Sequence, residues 1–234
     1  MKPEERENLR YSKGADSPIE IEERIMFSLL PESEKGRLLD VGCGVGTISV
    51  ELQKKGFEVY GIDFSSVAVE KAKKKGINAV ECDTDKEGLP FEDNYFDVVW
   101  AGDVIEHVFD PIFLFKEISR VLKPTGKVLL TTPNDLNIFT RTYIFITGKS
   151  PQSATYRNLK QCKHHTMFSL ELLQYMLDEV HLSPCLIGSI LKKPNSNRKY
   201  YSKSKILGTL FGTVFIVDAR KKSGARKWSH RQRK

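Results

Sequence analysis

The chain has 234 residues, of which 40% are hydrophobic and 29% are charged, and its net charge is +7. These values suit a single α/β domain with a sizeable core. Two further features argue against other classes of protein. The longest apolar stretch (206–217) is too short to span a bilayer. The four cysteines show no CxxC pairing, which argues against a disulfide framework and a structural zinc site. The N-terminus lacks an apolar signal region, which predicts a cytoplasmic location.

The first predicted element is a helix that starts at Ser17-Pro18-Ile19-Glu20 and continues to Leu30. A proline just inside a serine cap is a common helix start. Five strands are then predicted, with helices between them, at 37–41, 57–62, 77–81, 96–101 and 126–132. This alternation is typical of a parallel sheet with right-handed crossovers.

A glycine-rich turn follows the first strand, in the run Asp40-Val41-Gly42-Cys43-Gly44-Val45-Gly46. The Gly-x-Gly-x-Gly spacing lets the backbone turn sharply into a helix and lets a ligand approach closely. The dinucleotide fingerprint needs Gly-x-Gly-x-x-Gly, and Asp40 would lie beside the pyrophosphate. The turn therefore disfavours NAD and favours a ligand that carries a cationic group. Cys43 is interpreted as a small residue that packs tightly.

The second strand also ends in an acid, Asp63, which follows Gly46 by 17 residues. One helix, a turn and a strand fit into that gap, so Asp63 should emerge beside the glycine loop. There its carboxylate can accept hydrogen bonds from both hydroxyls of a ribose. An acid at the end of a strand can also be a helix cap or a turn residue.

Residues 35–135 resemble the class I S-adenosylmethionine-dependent methyltransferases in the order and spacing of their motifs. The series consists of the glycine loop, Asp63, Asp83, Leu89-Pro90-Phe91, residues 96–100, residues 103–108 and residues 121–130. The resemblance implies an α/β, Rossmann-like fold with a seven-stranded, mainly parallel sheet and helices on both faces. It also implies one domain over 1–219, with a variable cover at about 134–165, before a basic, disordered tail over 220–234.

The same resemblance implies S-adenosylmethionine as the cofactor. It places the glycine loop and Asp40 near the methionine end, Asp63 on the ribose and Asp83 on the adenine amino group. The backbone at Gly102 ends the fourth strand, where ligands of open α/β sheets bind. The complete predicted cofactor-binding set is Asp40, Gly42, Cys43, Gly44, Gly46, Asp63, Phe64, Asp83 and Gly102.

Candidate catalytic residues follow the fourth strand, at Asp103, Glu106 and His107, a spacing that would share one face of a helix. A hydroxyl or phenol acceptor needs its proton removed, and Asp103 and His107 are the predicted catalytic residues here. The segment resembles the Glu-x-x-Glu-His of ubiquinone-biosynthesis O-methyltransferases, which is associated with a divalent metal, with Asp103 in place of the first Glu. Either Asp103, Glu106 and His107 bind Mg²⁺, or the Glu-His pair caps or hydrogen-bonds locally.

A third catalytic candidate is His164, which matches a histidine that many of these enzymes carry just before a late helix. It is interpreted as a general base or a substrate contact, with a structural role as the alternative. The helix itself is predicted over 168–179, with a serine cap. Segments 184–191 and 208–217 could form an antiparallel pair that completes the sheet.

The segment between Asn134 and Lys163 is expected to determine the acceptor. Its apolar and aromatic residues suggest a lid over a hydrophobic, lipid-like acceptor, with an extra core helix as the alternative. After Trp100 the chain lacks the Asn/Asp-Pro-Pro-Tyr motif that enzymes methylating planar nitrogens use. Methylation of nucleic-acid bases is therefore a minority interpretation.

Basic residues are concentrated in two places, with eight in 220–234 and six in 192–205, and neither segment contains an acid. Without the tail, the rest of the chain is nearly neutral. The segments are either a solvated loop and tail or a weak contact for an anionic surface. The leading hypothesis is O-methylation of a small or lipid-like acceptor. The alternatives are an RNA or protein methyltransferase that docks through the tail, and a binding module without catalysis; the oligomeric state stays open.

Overall fold

A computed structural model of the chain describes residues 3–14, 18–31, 36–149, 165–192 and 199–222. The helices are α1 (Pro3–Ser12), α2 (Ile21–Ser28), α3 (Thr47–Lys54), α4 (Ser66–Lys74), α5 (Pro111–Val121), α6 (Ile138–Thr147), α7 (Leu170–Glu179) and α8 (Lys205–Phe211). The strands are β1 (Arg37–Val41), β2 (Glu58–Asp63), β3 (Asn78–Glu81), β4 (Phe96–Gly102), β5 (Leu122–Pro133), β6 (Leu182–Lys192), β7 (Lys199–Ser202) and β8 (Gly212–Lys221).

The strands form one sheet in the order β3-β2-β1-β4-β5-β8-β6-β7. Strands β1 to β5 are parallel, and β8, β6 and β7 are added in antiparallel fashion. The five predicted parallel strands are confirmed, and β5 is longer than predicted because it already begins at Leu122. The order reverses between β1 and β4, so the strand ends diverge there and leave a crevice at their carboxyl edge.

The described residues form a sheet of eight strands where seven were predicted. The additional edge strand, β7, lies in the basic stretch that was interpreted as a solvated loop, and it pairs with the end of β6. An ion pair contributes to its position, since Lys199 Nζ lies 3.0 Å from Glu22 and 2.8 Å from Glu20. A local charge count could not reveal this long-range pairing.

The predicted antiparallel pair is present, but its second strand begins later than predicted. Residues 205–211 form α8, capped by the Ser204 side chain, and β8 starts only at Gly212. At its other end β8 includes Arg220 and Lys221, which the sequence assigned to the tail. The rest of that tail, beyond Lys222, lies outside the described residues.

Both faces of the sheet are covered by apolar packing, as predicted. On one face Phe115 and Leu173 of α5 and α7 belong to a large core cluster. On the other face Met26 and Leu52 of α2 and α3 pack with the fully buried Trp100. The sheet is therefore the middle layer of a three-layer structure, and its carboxyl edge is free to build a site.

Two helix starts test the sequence interpretation. Helix α7 is capped by the Ser169 side chain, which accepts a hydrogen bond from Leu172 N, as predicted. Helix α2 begins at Ile21 instead of Ser17-Pro18, because Glu20 and Glu23 form a capping box one turn later. Reciprocal side-chain and backbone hydrogen bonds at Glu20 satisfy the first N–H groups there.

Helix α6 lies in the predicted cover, directly after β5. None of its ten residues is buried, which contradicts the alternative of an extra core helix. Across the described ranges, the helices are all too short or too polar to cross a membrane.

Candidate functional site

The predicted site residues lie at the carboxyl edge of the sheet, around the point where the strand order reverses. The glycine loop follows β1, Asp63 ends β2, and the turn at 103–107 follows β4. Strand β1 lies between β2 and β4, so these three segments are neighbours in space. Ligands of open α/β sheets bind in this crevice.

The glycine loop adopts left-handed backbone angles that suit glycine and disfavour other residues. Gly42 has φ 73°, and a Cβ placed there would lie 2.6 Å from the Val104 side chain. Gly46 has φ 78° and precedes the first residue of α3. The loop also receives support from β2, since Gly42 N and Cys43 N both donate to Ile62 O. The result is a tight cradle without side chains on its inner surface, at the N-terminus of a helix.

Asp63 is fixed to this loop through both of its carboxylate oxygens. Oδ2 accepts a hydrogen bond from Gly44 N and Oδ1 accepts one from Ser65 N, each at 2.8 Å. Burial raises the pKa of Asp63, and the two N–H donors oppose that rise. Asp63 was predicted to lie beside the glycine loop, and in the structure its carboxylate contacts the loop directly through Gly44 N. Each carboxylate oxygen retains a lone pair for a ligand hydroxyl.

Asp40 and Cys43 differ from Asp63 in being buried inside the loop. Asp40 accepts a hydrogen bond from Ser49 Oγ at 2.6 Å, and burial raises its pKa to about 7. The Cys43 thiol packs against Gly61, where an added Cβ would lie 2.7 Å from its sulfur, as expected of a small, tightly packed residue. Asp40 and Cys43 thus hold the loop from beneath.

The remaining predicted cofactor contacts are partly exposed around the crevice. Asp83 follows β3, accepts a hydrogen bond from Asp85 N at 3.1 Å and pairs with Lys86 Nζ at 2.5 Å. Phe64 follows Asp63 and is half-buried, and Gly102 ends β4. Asp83 is therefore already engaged in a local turn, with lone pairs left for a further donor.

Asp103 to His107 form a turn and not the predicted helix. Asp103 has φ 51°, a left-handed angle that is uncommon for aspartate. Thr131 fixes it, since the hydroxyl donates to Asp103 Oδ1 at 2.9 Å and accepts from Asp103 N at 3.0 Å. Backbone strain of this kind is often found at functional sites.

The three polar side chains of this turn do not converge on one point. Glu106 points inward and accepts a hydrogen bond from Thr132 Oγ1 at 3.1 Å, whereas Asp103 and His107 are exposed. His107 Nε2 lies 4.0 Å from Glu106 Oε1. The described residues contain no group of three His, Cys, Asp or Glu side chains arranged to hold a metal ion. The predicted Mg²⁺ site at Asp103, Glu106 and His107 is not supported, because the helical geometry that would have brought them together does not form.

Burial and the nearby Asp103 raise the pKa of Glu106 to about 8. Between about pH 4.5 and 8 the folded protein keeps this proton while the unfolded chain loses it. Stability is therefore lost as pH rises, by at most about 1.4 kcal/mol per pH unit from this group. We expect Glu106→Gln to gain stability relative to the native protein across that window, measured by urea unfolding at pH 5 and pH 8.

Exposed Glu171 on α7 supplies the control for this experiment. The variant Glu171→Gln should change stability equally at the two pH values. A difference between Glu106→Gln and the native protein that is the same at pH 5 and pH 8 would contradict a raised pKa.

His164 lies outside the described residues, so its catalytic role stays a prediction. Its neighbour His165 is described, and it was missed by the sequence analysis. His165 N donates to Glu106 O at 2.7 Å, and its ring stacks on Phe109 with centroids 4.0 Å apart. The segment before α7 thus reaches the turn that follows β4.

Helix α1 covers the glycine loop and was not predicted from the sequence. The Tyr11 hydroxyl lies 3.2 Å from the position a Cβ would take on Gly44. Asn8 Oδ1 accepts a hydrogen bond from Ser65 Oγ at 2.5 Å, and Lys71 Nζ donates to Tyr11 O at 2.5 Å. Burial raises the pKa of Tyr11. The sequence signal for this contact is weak: one aromatic residue, next to Leu9 and Arg10, in a helix of mostly polar residues.

Comparison with protein families gives a match over residues 39–130 to the family described as "Methyltransferase domain". The matched region contains most of β1, all of β2 to β4, most of β5, the glycine loop, Asp63 and the turn at 103–107.

Curated relatives match over a similar region. A demethylmenaquinone methyltransferase of Staphylococcus aureus is 40% identical over 115 residues, which are 46% of this chain and 48% of the relative. A ubiquinone biosynthesis O-methyltransferase of Alkalilimnicola ehrlichii is 32% identical over 48% of this chain and 46% of its own. Phosphoethanolamine N-methyltransferase 2 of Caenorhabditis elegans is 39% identical over 40% of this chain and 23% of its own. The matches span less than half the length of these relatives.

Solved structures match over most of the chain. A SAM-dependent methyltransferase from Methanosarcina mazei has a TM-score of 0.61 and 25% identity, covering 85% of this chain and 97% of that one. A SAM-dependent methyltransferase from Thermotoga maritima has a TM-score of 0.65 and 23% identity, covering 86% and 88%. These likenesses show that the fold is that of the class I methyltransferases.

Proposed function

From the methyltransferase domain that residues 39–130 form, we propose that the protein transfers a methyl group from S-adenosylmethionine to an oxygen of a small or lipid-like acceptor. The observation that carries this proposal is the position of Asp63. Its carboxylate is held against the glycine loop by Gly44 N, at the carboxyl edge of the sheet. A carboxylate there can accept hydrogen bonds from ribose hydroxyls.

The residues around the crevice suit S-adenosylmethionine in shape and charge. The glycine loop adds no side chains of its own at Gly42 and Gly44. Val104 packs against Gly42 and the Tyr11 hydroxyl lies against Gly44, so a ligand would approach the loop backbone beside these two side chains. Acidic Asp63 and Asp83 lie along the crevice, with Asp40 beneath the loop. A pyrophosphate would be repelled by these carboxylates, whereas a cationic sulfonium would be attracted. We assign the adenine end to Asp83 and the backbone contact near the reacting methyl group to Gly102.

The bound cofactor supplies a methyl group that its sulfonium already activates. The protein's task is to align the acceptor and to remove a proton from its hydroxyl. With a pKa of about 8, Glu106 is mostly protonated at neutral pH and is unsuited to act as the base there. We assign proton removal to His107. Asp103, in the same turn, is fixed by Thr131.

The acceptor class is tested by a transfer assay with radiolabelled S-adenosylmethionine. We expect label in a hydrophobic phenol or catechol, and we expect His107→Gln to reduce turnover while cofactor binding is retained. Transfer to an amine with no transfer to a hydroxyl would overturn the choice of oxygen. An absence of transfer to any acceptor, with cofactor binding intact, would favour the binding module.

The second candidate is an RNA or protein methyltransferase that docks through the basic tail. Because Arg220 and Lys221 belong to β8, the informative truncation ends the chain after Lys222. A small-molecule enzyme should keep its turnover after this truncation. A docked enzyme should lose affinity for its macromolecular substrate, together with the salt dependence of binding.

A further inference from the structure

Helices α6 and α8 expose an unusual number of apolar side chains. On α6, Phe145 is 89% exposed and Ile146 is 74% exposed, and on α8 Ile206 is 73% exposed. The other large apolar residues exposed on these helices are Ile138, Phe139, Tyr143, Leu207, Leu210 and Phe211. We call this set of nine residues the α6/α8 surface. Contiguous exposed apolar area of this kind marks an interaction site.

Hydrogen bonds from two asparagine side chains that follow β5 hold the two helices in place. Asn134 Nδ2 donates to Gly208 O and to Gly212 O, each at 3.0 Å, which ties the end of β5 to the middle and the C-terminal end of α8. Asn137 caps α6 and donates from Nδ2 to Asn134 O at 2.8 Å. The rings of Phe139 and Phe211 are in edge contact across the two helices. Buried amides thus fix the helices while their apolar side chains stay exposed.

The α6/α8 surface adjoins the proposed active site. Helix α6 follows β5 and α8 precedes β8, and these strands pair at the carboxyl edge of the sheet, with Thr132 opposite Phe215. Thr132 also donates to Glu106, in the turn that carries His107. Thr132 therefore links β8, which follows α8, to the turn that carries the proposed proton acceptor.

The charged side chains along α6 and α8 are all basic. The sequence has five Lys or Arg and no acid between Asp135 and Glu171, and six Lys or Arg and no acid between Glu179 and Asp218. Four of these cations are exposed on or next to the two helices: Arg141, Lys149, Lys203 and Lys205. Apolar side chains surrounded by Lys and Arg match the interface of a bilayer that contains anionic lipids.

We propose that the α6/α8 surface docks this protein peripherally on an anionic lipid bilayer, with the crevice facing the membrane. The exposed side chains are aliphatic and aromatic, which favours insertion among lipid chains over contact with RNA. A second copy of the chain would bring the same cations together and repel itself. The inference rests on the proposed function for the class of acceptor. If the protein docks with its crevice facing the membrane, a hydroxyl compound can enter the crevice from the lipid phase.

The test measures partition of the full chain onto vesicles, which requires no turnover. We expect binding to phosphatidylcholine vesicles that contain phosphatidylglycerol, and weaker binding when salt is raised or phosphatidylglycerol is omitted. The double variant Phe145→Ser with Ile146→Ser should bind at least about tenfold more weakly, because the inserted apolar area is lost. The double variant Lys203→Glu with Lys205→Glu should also weaken binding, by about fivefold or more for each lysine.

Tyr175→Ser is the matched control, because Tyr175 is 58% exposed on α7, outside the α6/α8 surface. It should bind vesicles like the native protein. Equal binding by native protein and the Phe145/Ile146 variant would overturn the proposal. Binding of the native protein to RNA but not to vesicles would also overturn it. So would a native protein that does not bind vesicles but forms a dimer that the Phe145/Ile146 variant abolishes. Calorimetry of S-adenosylmethionine binding distinguishes failure of the docking proposal from failure of the proposed methyl transfer. If only the docking proposal fails, the native protein still binds S-adenosylmethionine.

Discussion

Substitution of Asp63 by alanine is expected to weaken S-adenosylmethionine binding by at least about 100-fold, or ~2.7 kcal/mol. The carboxylate has two tasks in the proposed complex. It accepts hydrogen bonds from Gly44 N and Ser65 N, and it offers its remaining lone pairs to the ribose. Alanine removes the ribose contact and leaves two N–H groups of the cradle without their acceptor. Isothermal titration calorimetry measures the loss directly.

The control for this substitution is Glu81→Ala. Glu81 pairs with Asp63 in the sheet register, at the same edge, and its side chain is exposed. The control removes the same charge from the neighbouring strand without touching the glycine loop. We expect its affinity to remain within about twofold of native, because the exposed Glu81 carboxylate is screened by solvent. Equal losses in the two variants would mean that Asp63 acts only through net charge.

Gly42→Ala is expected to abolish measurable cofactor binding. The new Cβ would meet the Val104 side chain at 2.6 Å, so either the loop or the turn after β4 must shift. Val104 lies next to Asp103, and the shift would therefore disturb both sides of the crevice. Alanine also pays about 1–2 kcal/mol for the left-handed backbone angle.

Gly76→Ala separates backbone strain from the steric effect. Gly76 has φ 84°, and a Cβ there would have no heavy atom within 4 Å. Both variants should lose stability in urea unfolding through the left-handed angle, and Gly42→Ala should lose more because of its contact with Val104. Only Gly42→Ala should lose binding in calorimetry. Normal affinity in Gly42→Ala would show that the cofactor does not depend on this cradle.

Local patterns were sufficient for the parallel half of the sheet. Most of those strands contain a short apolar run. The glycine loop and Asp63 could be placed because the lengths of helix, turn and strand determine which residues meet at the edge of the sheet. The serine cap of α7 was predictable for the same reason, since a cap is decided within four residues.

Long-range contacts decided the features that were missed. Strand β7 forms through pairing with β6, and α8 replaces the start of a predicted strand because Asn134, more than 70 residues away, binds its carbonyl groups. The turn at Asp103 has a helical spacing of polar residues, but Thr131 holds Asp103 in a left-handed conformation instead. Spacing within one segment carries no information about such partners.

The most direct test of the account is calorimetric binding of S-adenosylmethionine, S-adenosylhomocysteine and NADH to the native protein. We predict micromolar binding of both sulfur compounds and no binding of NADH, because the crevice combines a glycine cradle with the carboxylates of Asp63 and Asp83. Preference for NADH, or no binding of either sulfur compound, would contradict the proposed methyl transfer and leave only the fold.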